Sequence, residues 1–196
     1  MATLREVVDT RFGGVLSCGP HSEDSKACAL EALSVAKGIP WTDAPMKLGV
    51  PDIRPMSDSS WSSDKARANG MIPVVEALMG WERWSVERRK AFVLRVAERT
   101  IREILPIALR RQGWEAAAIR CEQEGSQAAA RDAARAAARA TWAATWDATG
   151  DAAGDAGAAR ATAWAAAWAA AGDADKIPLL ACRIWIETAE EVEEDK

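Results

Sequence analysis

Tyrosine is absent from these 196 residues, phenylalanine occurs twice and histidine once. The aromatic content sits instead in ten tryptophans. Cysteine is sparse: Cys18, Cys28, Cys121 and Cys182 stand far apart. Such spacing without an export signal predicts reduced thiols, not a disulfide framework. Glu6 and Asp9 fall where the apolar core of a secretory signal would lie. The longest charge-free Ala/Trp run, Ala161 to Ala171, is far short of the ~20 residues a membrane span needs. An intracellular location is therefore expected, with no membrane partner. No strand-period run of useful length occurs. Phosphate loops, dinucleotide fingerprints and Gly-x-Ser-x-Gly elbows are missing too, which removes the sequence signatures of those enzyme classes. A net charge of −4 argues against general nucleic-acid binding.

What is present is alanine punctuated by tryptophan. Arg139-Ala-Thr-Trp142-Ala-Ala-Thr-Trp146 leads to Gly150-Asp151, and Arg160-Ala-Thr-Ala-Trp164-Ala-Ala-Ala-Trp168 leads to Gly172-Asp173. Alanine is the strongest helix former, and residues at i and i+4 share a helix face. The chain thus carries two copies of one helical unit whose payload is a pair of indoles. Gly150, Gly154 and Gly157 mark a turn between two antiparallel helices, or else a small-residue face within one long helix. Each buried Trp contributes about 200 Å² of contact, which Ala cannot. Trp142, Trp146, Trp164 and Trp168 are therefore expected in a core or an oligomer interface. The alternative is a stacking platform for a base, helped by nearby arginines.

The rest of the chain also reads as helical, so an all-α fold is predicted: a bundle with a loop-rich N-terminal segment and an Ala/Trp-rich hairpin. The composition shift places a boundary near residue 124, giving regions 1–124 and 125–196 that pack as one unit. A helix is expected from about Ser25, capped by Ser22 or Asp24, to Lys37, where Gly38 and Pro40 end it. Residues 38 to about 61 read as a proline-rich loop. Ser62 and Ser63 can start a helix that Gly70 and Pro73 break or kink. Ser85 caps the longest helix, about 86 to 111, kinked near Pro106 and stopped by Gly113. Arg88, Arg95, Arg99 and Arg102 fall in one arc of it, opposite Val93, Leu94 and Ala97. That arginine stripe reads first as a solvated face partly neutralised by Glu87, Glu98 and Glu103, and second as a contact for an acidic ligand. Two further helices are expected, from Trp114 to about Glu122 and from near Pro178, the latter with an acidic end that should fray.

Metal-like spacing occurs once, in Cys18-x2-His21-x6-Cys28. Zinc takes four Cys/His ligands, or three plus water, and the second pair is missing; Glu23, Asp24, Cys121 or Cys182 would have to complete the set. No cofactor is the first expectation, zinc the second. Cys28 as nucleophile with His21 as base is the corresponding catalytic arrangement, since a helix start favours thiolate. Against it, Cys28 falls on an apolar face that suits an inert thiol. Glu31, Asp43 and Asp64 could converge on His21, although carboxylates in a loop-rich half more often cap helices or face solvent. Glu31 and Asp43 form the candidate ligand-binding set with Arg95 and Arg99.

His21, Cys28-Ala-Leu-Glu31-Ala, Lys37-Gly38-Ile-Pro40-Trp41-Thr42-Asp43-x-Pro45, Trp61-Ser-Ser-Asp64-x-x-Arg67 and Ile72-Pro73-Val74 resemble a group of small actinobacterial and phage proteins. The resemblance covers about a third of the chain. It departs after Pro45, where Lys47-Leu48 stands in place of a second cysteine. It implies a phage-type origin, action in the cytoplasm of a bacterial host cell, and a shared site at His21, Cys28, Glu31 and Asp43; it implies no activity. Three functions are expected in descending order. The first is a non-enzymatic accessory protein that self-associates or binds a protein partner through Ala/Trp surfaces. The second is a binder of a small nucleotide-like ligand, with sequestration as a counter-defence use. The third is a metal- or thiol-dependent enzyme around His21 and Cys28.

Overall fold

A computed structural model describes the backbone of residues 2–23, 26–146 and 175–194, and the side chains of 2–23, 26–136 and 175–193. The fold is all-α: every regular element among the described residues is helical. The chain divides into two compact units, Met1–Val96 with Asp173–Lys196, and Ala97–Gly172. This differs from the division expected near residue 124. The last helix belongs with the N-terminal unit, and residues 97–124 belong with the second, where the helices Leu105–Arg111 and Glu115–Glu124 pack with each other and the latter with Gln127–Trp146.

In the first unit, α1 (Leu4–Arg11) opens on a reciprocal cap. Thr3 Oγ1 accepts from Glu6 N at 3.1 Å, and the Glu6 carboxylate accepts from Thr3 N at 2.7 Å. α2 (Ala29–Ala36) begins four residues later than the Ser25 start expected from sequence. Asp24 and Ser25 lie outside the described residues, and residues 26–28 are not helical. Cys28 occupies the cap position in extended backbone, and Glu31 reaches back to its N–H. The proline-rich stretch holds two single turns, α3 (Pro45–Leu48) and α4 (Arg54–Ser57), each with a proline in its opening residues, where the missing N–H costs nothing.

α5 (Asp64–Ala77) starts at Ser63, whose hydroxyl accepts from Ala66 N at 3.1 Å. It runs unbroken through Gly70 and Pro73, a correction to the predicted break. Proline removes one helical bond and crowds the carbonyl of Asn69, and the packing of α1, α2 and the last helix against α5 outweighs that cost. A 3-10 turn (Trp81–Arg83) follows, and then α6 (Val86–Arg99), begun at Ser85. The last helix, α10 (Lys176–Glu194), packs along α5 and touches α4. Its entry is pinned by Asp175, which accepts from Ser62 N at 2.7 Å and from the Ser62 hydroxyl. Leu16, Leu30, Leu33, Leu48, Ile53, Met71, Ile72, Leu78 and Phe92 form the centre of the core.

The orientation of α6 inverts the expected one. Phe92 and Val96 are buried, whereas Val93 and Leu94 stand 55% and 53% exposed. Phe92 decides this: its ring meets Trp81 at 5.4 Å, Trp84 at 5.7 Å and Trp185 at 5.5 Å, all edge-on. The arginines sharing its face turn inward with it. Arg88 and Arg95 meet Glu193 at 3.5 Å and Glu191 at 3.8 Å, and α10 stays helical through Glu194, where fraying was expected.

In the second unit the helix of α6 continues through a π turn (Thr100–Ile104) into α7 (Leu105–Arg111). The widened turn sits immediately before Pro106, whose ring would clash with the carbonyl four residues back in a regular helix. α8 (Glu115–Glu124) ends at left-handed Gly125. Its last carbonyls accept from Arg102, at 2.7 Å for Glu122, 2.8 Å for Gln123 and 3.0 Å for Glu124. Leu109, Ala118, Cys121, Ala129 and Ala133 form the local core. α9 (Gln127–Trp146) carries the backbone of Trp142 and Trp146. Their side chains lie outside the described residues, as do Trp164, Trp168 and the choice between a turn and one long helix.

Candidate functional site

Of the carboxylates that could converge on His21, Glu31 is the one that meets it. Glu31 is 2% exposed and is the hub. One of its carboxylate oxygens accepts from His21 N at 2.6 Å. The other accepts from Cys28 N at 2.8 Å and faces His21 Nδ1 at 3.0 Å. A carboxylate only accepts, so Nδ1–H is the donor. The carboxylate thus ties the chain at His21 to the start of α2. The Trp41 indole locks the same segment from the far side, donating from Nε1 to His21 O at 2.9 Å. Trp41 in turn meets Phe12 edge-on at 6.2 Å.

Cys28 contributes its main chain to this group. Burial pushes its thiol up to about 12, so it is a neutral, weakly reactive group at physiological pH. That is the inert-thiol reading, and it runs against nucleophilic use of Cys28. Cys182 behaves alike: burial raises its thiol to about 12. Cys121 is also buried and raised, by burial first. Cys18 is the exposed thiol among four free cysteines, and its sulfur donates to Asp58 O at 3.7 Å. Among the described residues, no three His, Cys, Asp or Glu side chains are placed to hold a metal ion.

Asp43 takes a different place. Its charge acts on Arg54, which is raised above the ordinary arginine value, first by its hydrogen bond to Asp52 and then by the field of Asp43 and Asp58. Arg95 pairs with Glu191, and Arg99 Nε donates to Glu103 at 2.7 Å. Glu31, Asp43, Arg95 and Arg99 are thus each engaged by their own neighbours.

A second buried polar node centres on Arg67, and Asp64, expected as one of the carboxylates around His21, belongs to this node instead. Arg67 is 6% exposed. It donates from Nε to Ser57 O at 2.9 Å and from Nη1 to Leu16 O at 3.0 Å and to Asp64. Asp64 Oδ2 also accepts from Ser17 Oγ at 3.1 Å. One guanidinium therefore joins the loop after α1, α4 and α5. The spacing Asp64-x-x-Arg67 on one helix face was the available signal.

Also unassigned in the sequence was the aromatic wall of Trp81, Trp84, Phe92 and Trp185. The Arg88 guanidinium stacks on Trp84, 3.8 Å from the ring centroid. Its Nη2 reaches Ala189 O at 3.5 Å. Arg88 is thus a wall element of α6 and not part of a solvated stripe.

No family model, curated protein or solved structure matches this chain. Among the described residues, no helix is long and apolar enough to cross a membrane.

Proposed function

We propose that this chain is a non-enzymatic, phage-type accessory protein of the bacterial cytoplasm that self-associates or binds a protein partner through helical surfaces. The observation that carries this reading is the outer face of α6. Val86, Val93 and Leu94 stand 70%, 55% and 53% exposed, while the arginines of the same helix face inward. Neighbouring exposed apolar side chains on one helix favour a covering partner. The side chains of the Ala/Trp repeats lie outside the described residues, and their sequence suits the same role, since alanine lets helices approach closely and indoles fill the gaps. The polar groups that would suit an enzyme support the same reading. Glu31, His21 and Arg67 hold main-chain segments together, and the Cys28 thiol is kept neutral.

The test is light scattering of the full chain across concentration, beside V93E/L94E and W164A/W168A variants. A mass above that of the monomer, reduced in at least one variant, supports the reading. A monomer at every concentration removes self-association. A photo-crosslinker at position 93 that captures no chain from a bacterial lysate then removes the partner-binding form.

A further inference from the structure

A cleft of about 590 Å³ opens in the first unit beside the Trp81–Arg83 turn. Its size falls within the range of small-molecule sites. Its walls are Ala77, Met79, Ala91 and Val192 on the apolar side, with Arg83, Arg88 and Ser85 on the polar side. We propose that this cleft binds a small organic anion: an oxyanion head, carboxylate or phosphate monoester, on an apolar body.

Three observations carry the assignment. Arg83 is exposed and, among the described residues, its guanidinium has no hydrogen-bond or ion-pair partner. Its guanidinium lies over Gly80, where a β-carbon would stand 2.6 Å from Nη2, so glycine at φ +85° gives it room along the rim. Arg88 is held flat by its stack on Trp84, and its buried Nε has no acceptor. A fixed guanidinium with an unmet donor is prepared for an oxyanion. Ser85, at the start of α6, brings a helix N-terminus to the same wall; its hydroxyl caps the Arg88 N–H, and the N–H groups of Val86 and Glu87 precede the first helical acceptor.

The cleft also holds Glu87 and Glu193. Glu193 sits 3.5 Å from Arg88 Nη2 and is 66% exposed, a long and solvated pair that an incoming anion can replace. Base stacking is not the mode. Trp84 is covered by Arg88 on one side and packed against Trp81 and Phe92, so it presents no open ring face. The apolar body would lie against Met79, Ala91 and Val192.

The full chain is titrated with octanoate, octyl phosphate, octanol and inorganic phosphate, read by nitrogen-15 shifts of the arginine Nε–H and tryptophan indole groups. Saturable shifts with octanoate or octyl phosphate, with Kd below about 1 mM, are expected. Octanol and inorganic phosphate should bind at least about tenfold more weakly, each lacking one half of the ligand. R83Q, at an exposed site where folding is not at risk, should weaken binding by about tenfold, and E193Q should tighten it. The proposal is overturned by no saturation with either amphiphile, by octanol or phosphate binding equally well, by R83Q binding like the parent, or by E193Q weakening it.

Discussion

Trp61 lies so close over Gly70 that a β-carbon there would stand 2.4 Å from its Cη2 atom. The Trp61 ring is held in that position by its indole N–H, which donates to Met56 O at 3.2 Å. Gly70 is therefore the residue in α5 that lets the loop before the helix lie against it.

Two effects compete at Gly70→Ala. Helix propensity favours alanine by about 1 kcal/mol. The overlap with a pinned indole costs about 1–3 kcal/mol and wins. Net destabilisation of about 1 kcal/mol is expected in urea unfolding. In a Trp61→Leu background the same change should become neutral or stabilising, because the obstacle is gone. A stabilising effect of G70A in the parent chain would refute the close packing.

Glu31→Ala leaves three N–H donors without their acceptor in a buried place. A loss of about 3 kcal/mol or more is expected. His21→Ala removes a single one of those bonds and should cost about 1 kcal/mol. Equal, small effects in the two variants would mean that the carboxylate is not the hub.

Arg67→Lys keeps the charge but not the fork that serves Leu16 O and Ser57 O at once. A loss of about 2 kcal/mol is expected by denaturant unfolding. A midpoint unchanged from the parent would show that the two carbonyls need no guanidinium.

The buried thiols predict an alkaline loss of stability. Cys28 and Cys182 titrate at about 12 in the folded chain, against an ordinary value of 9.0. Above pH 9 the unfolded chain releases these protons and the folded chain does not. Stability is therefore full below pH 9 and falls as pH rises from 9 towards 12, by up to about 1.4 kcal/mol per pH unit for each thiol. Unfolding curves at pH 8, 9 and 10 should show the decline, and Cys182→Ala should flatten it. Under native conditions at pH 8 a thiol reagent should label Cys18 fast and the other three slowly. Rapid labelling of all four would contradict their burial.

Much of the helical pattern was legible in the sequence. Ser63 and Ser85 start their helices as read, and Gly38 and Gly113 stop theirs; of the three carboxylates that could converge on His21, Glu31 is the one that meets it. The start of α2 was not legible, because cysteine is not among the usual capping residues. The signal lay in the spacing of Cys28 and Glu31, which is that of a capping box. Gly70 and Pro73 read as breakers because their cost is local, whereas the packing that overrides it comes from Trp61 and α10.

Periodicity and caps are properties of neighbours three or four residues apart, so the chain's order of residues alone determined that it is helical and roughly where its helices begin and end. Which face each helix buries depends on partners distant in the chain. Arg88 turned inward because Trp84 offered its ring and α10 its carbonyl at Ala189, and Phe92 found three tryptophans to meet. Ser62 and Asp175, 113 positions apart, close the N-terminal unit around the last helix. Only the tertiary structure could decide these matters, since the free energy of a buried face resides in the pair of surfaces and not in either one alone.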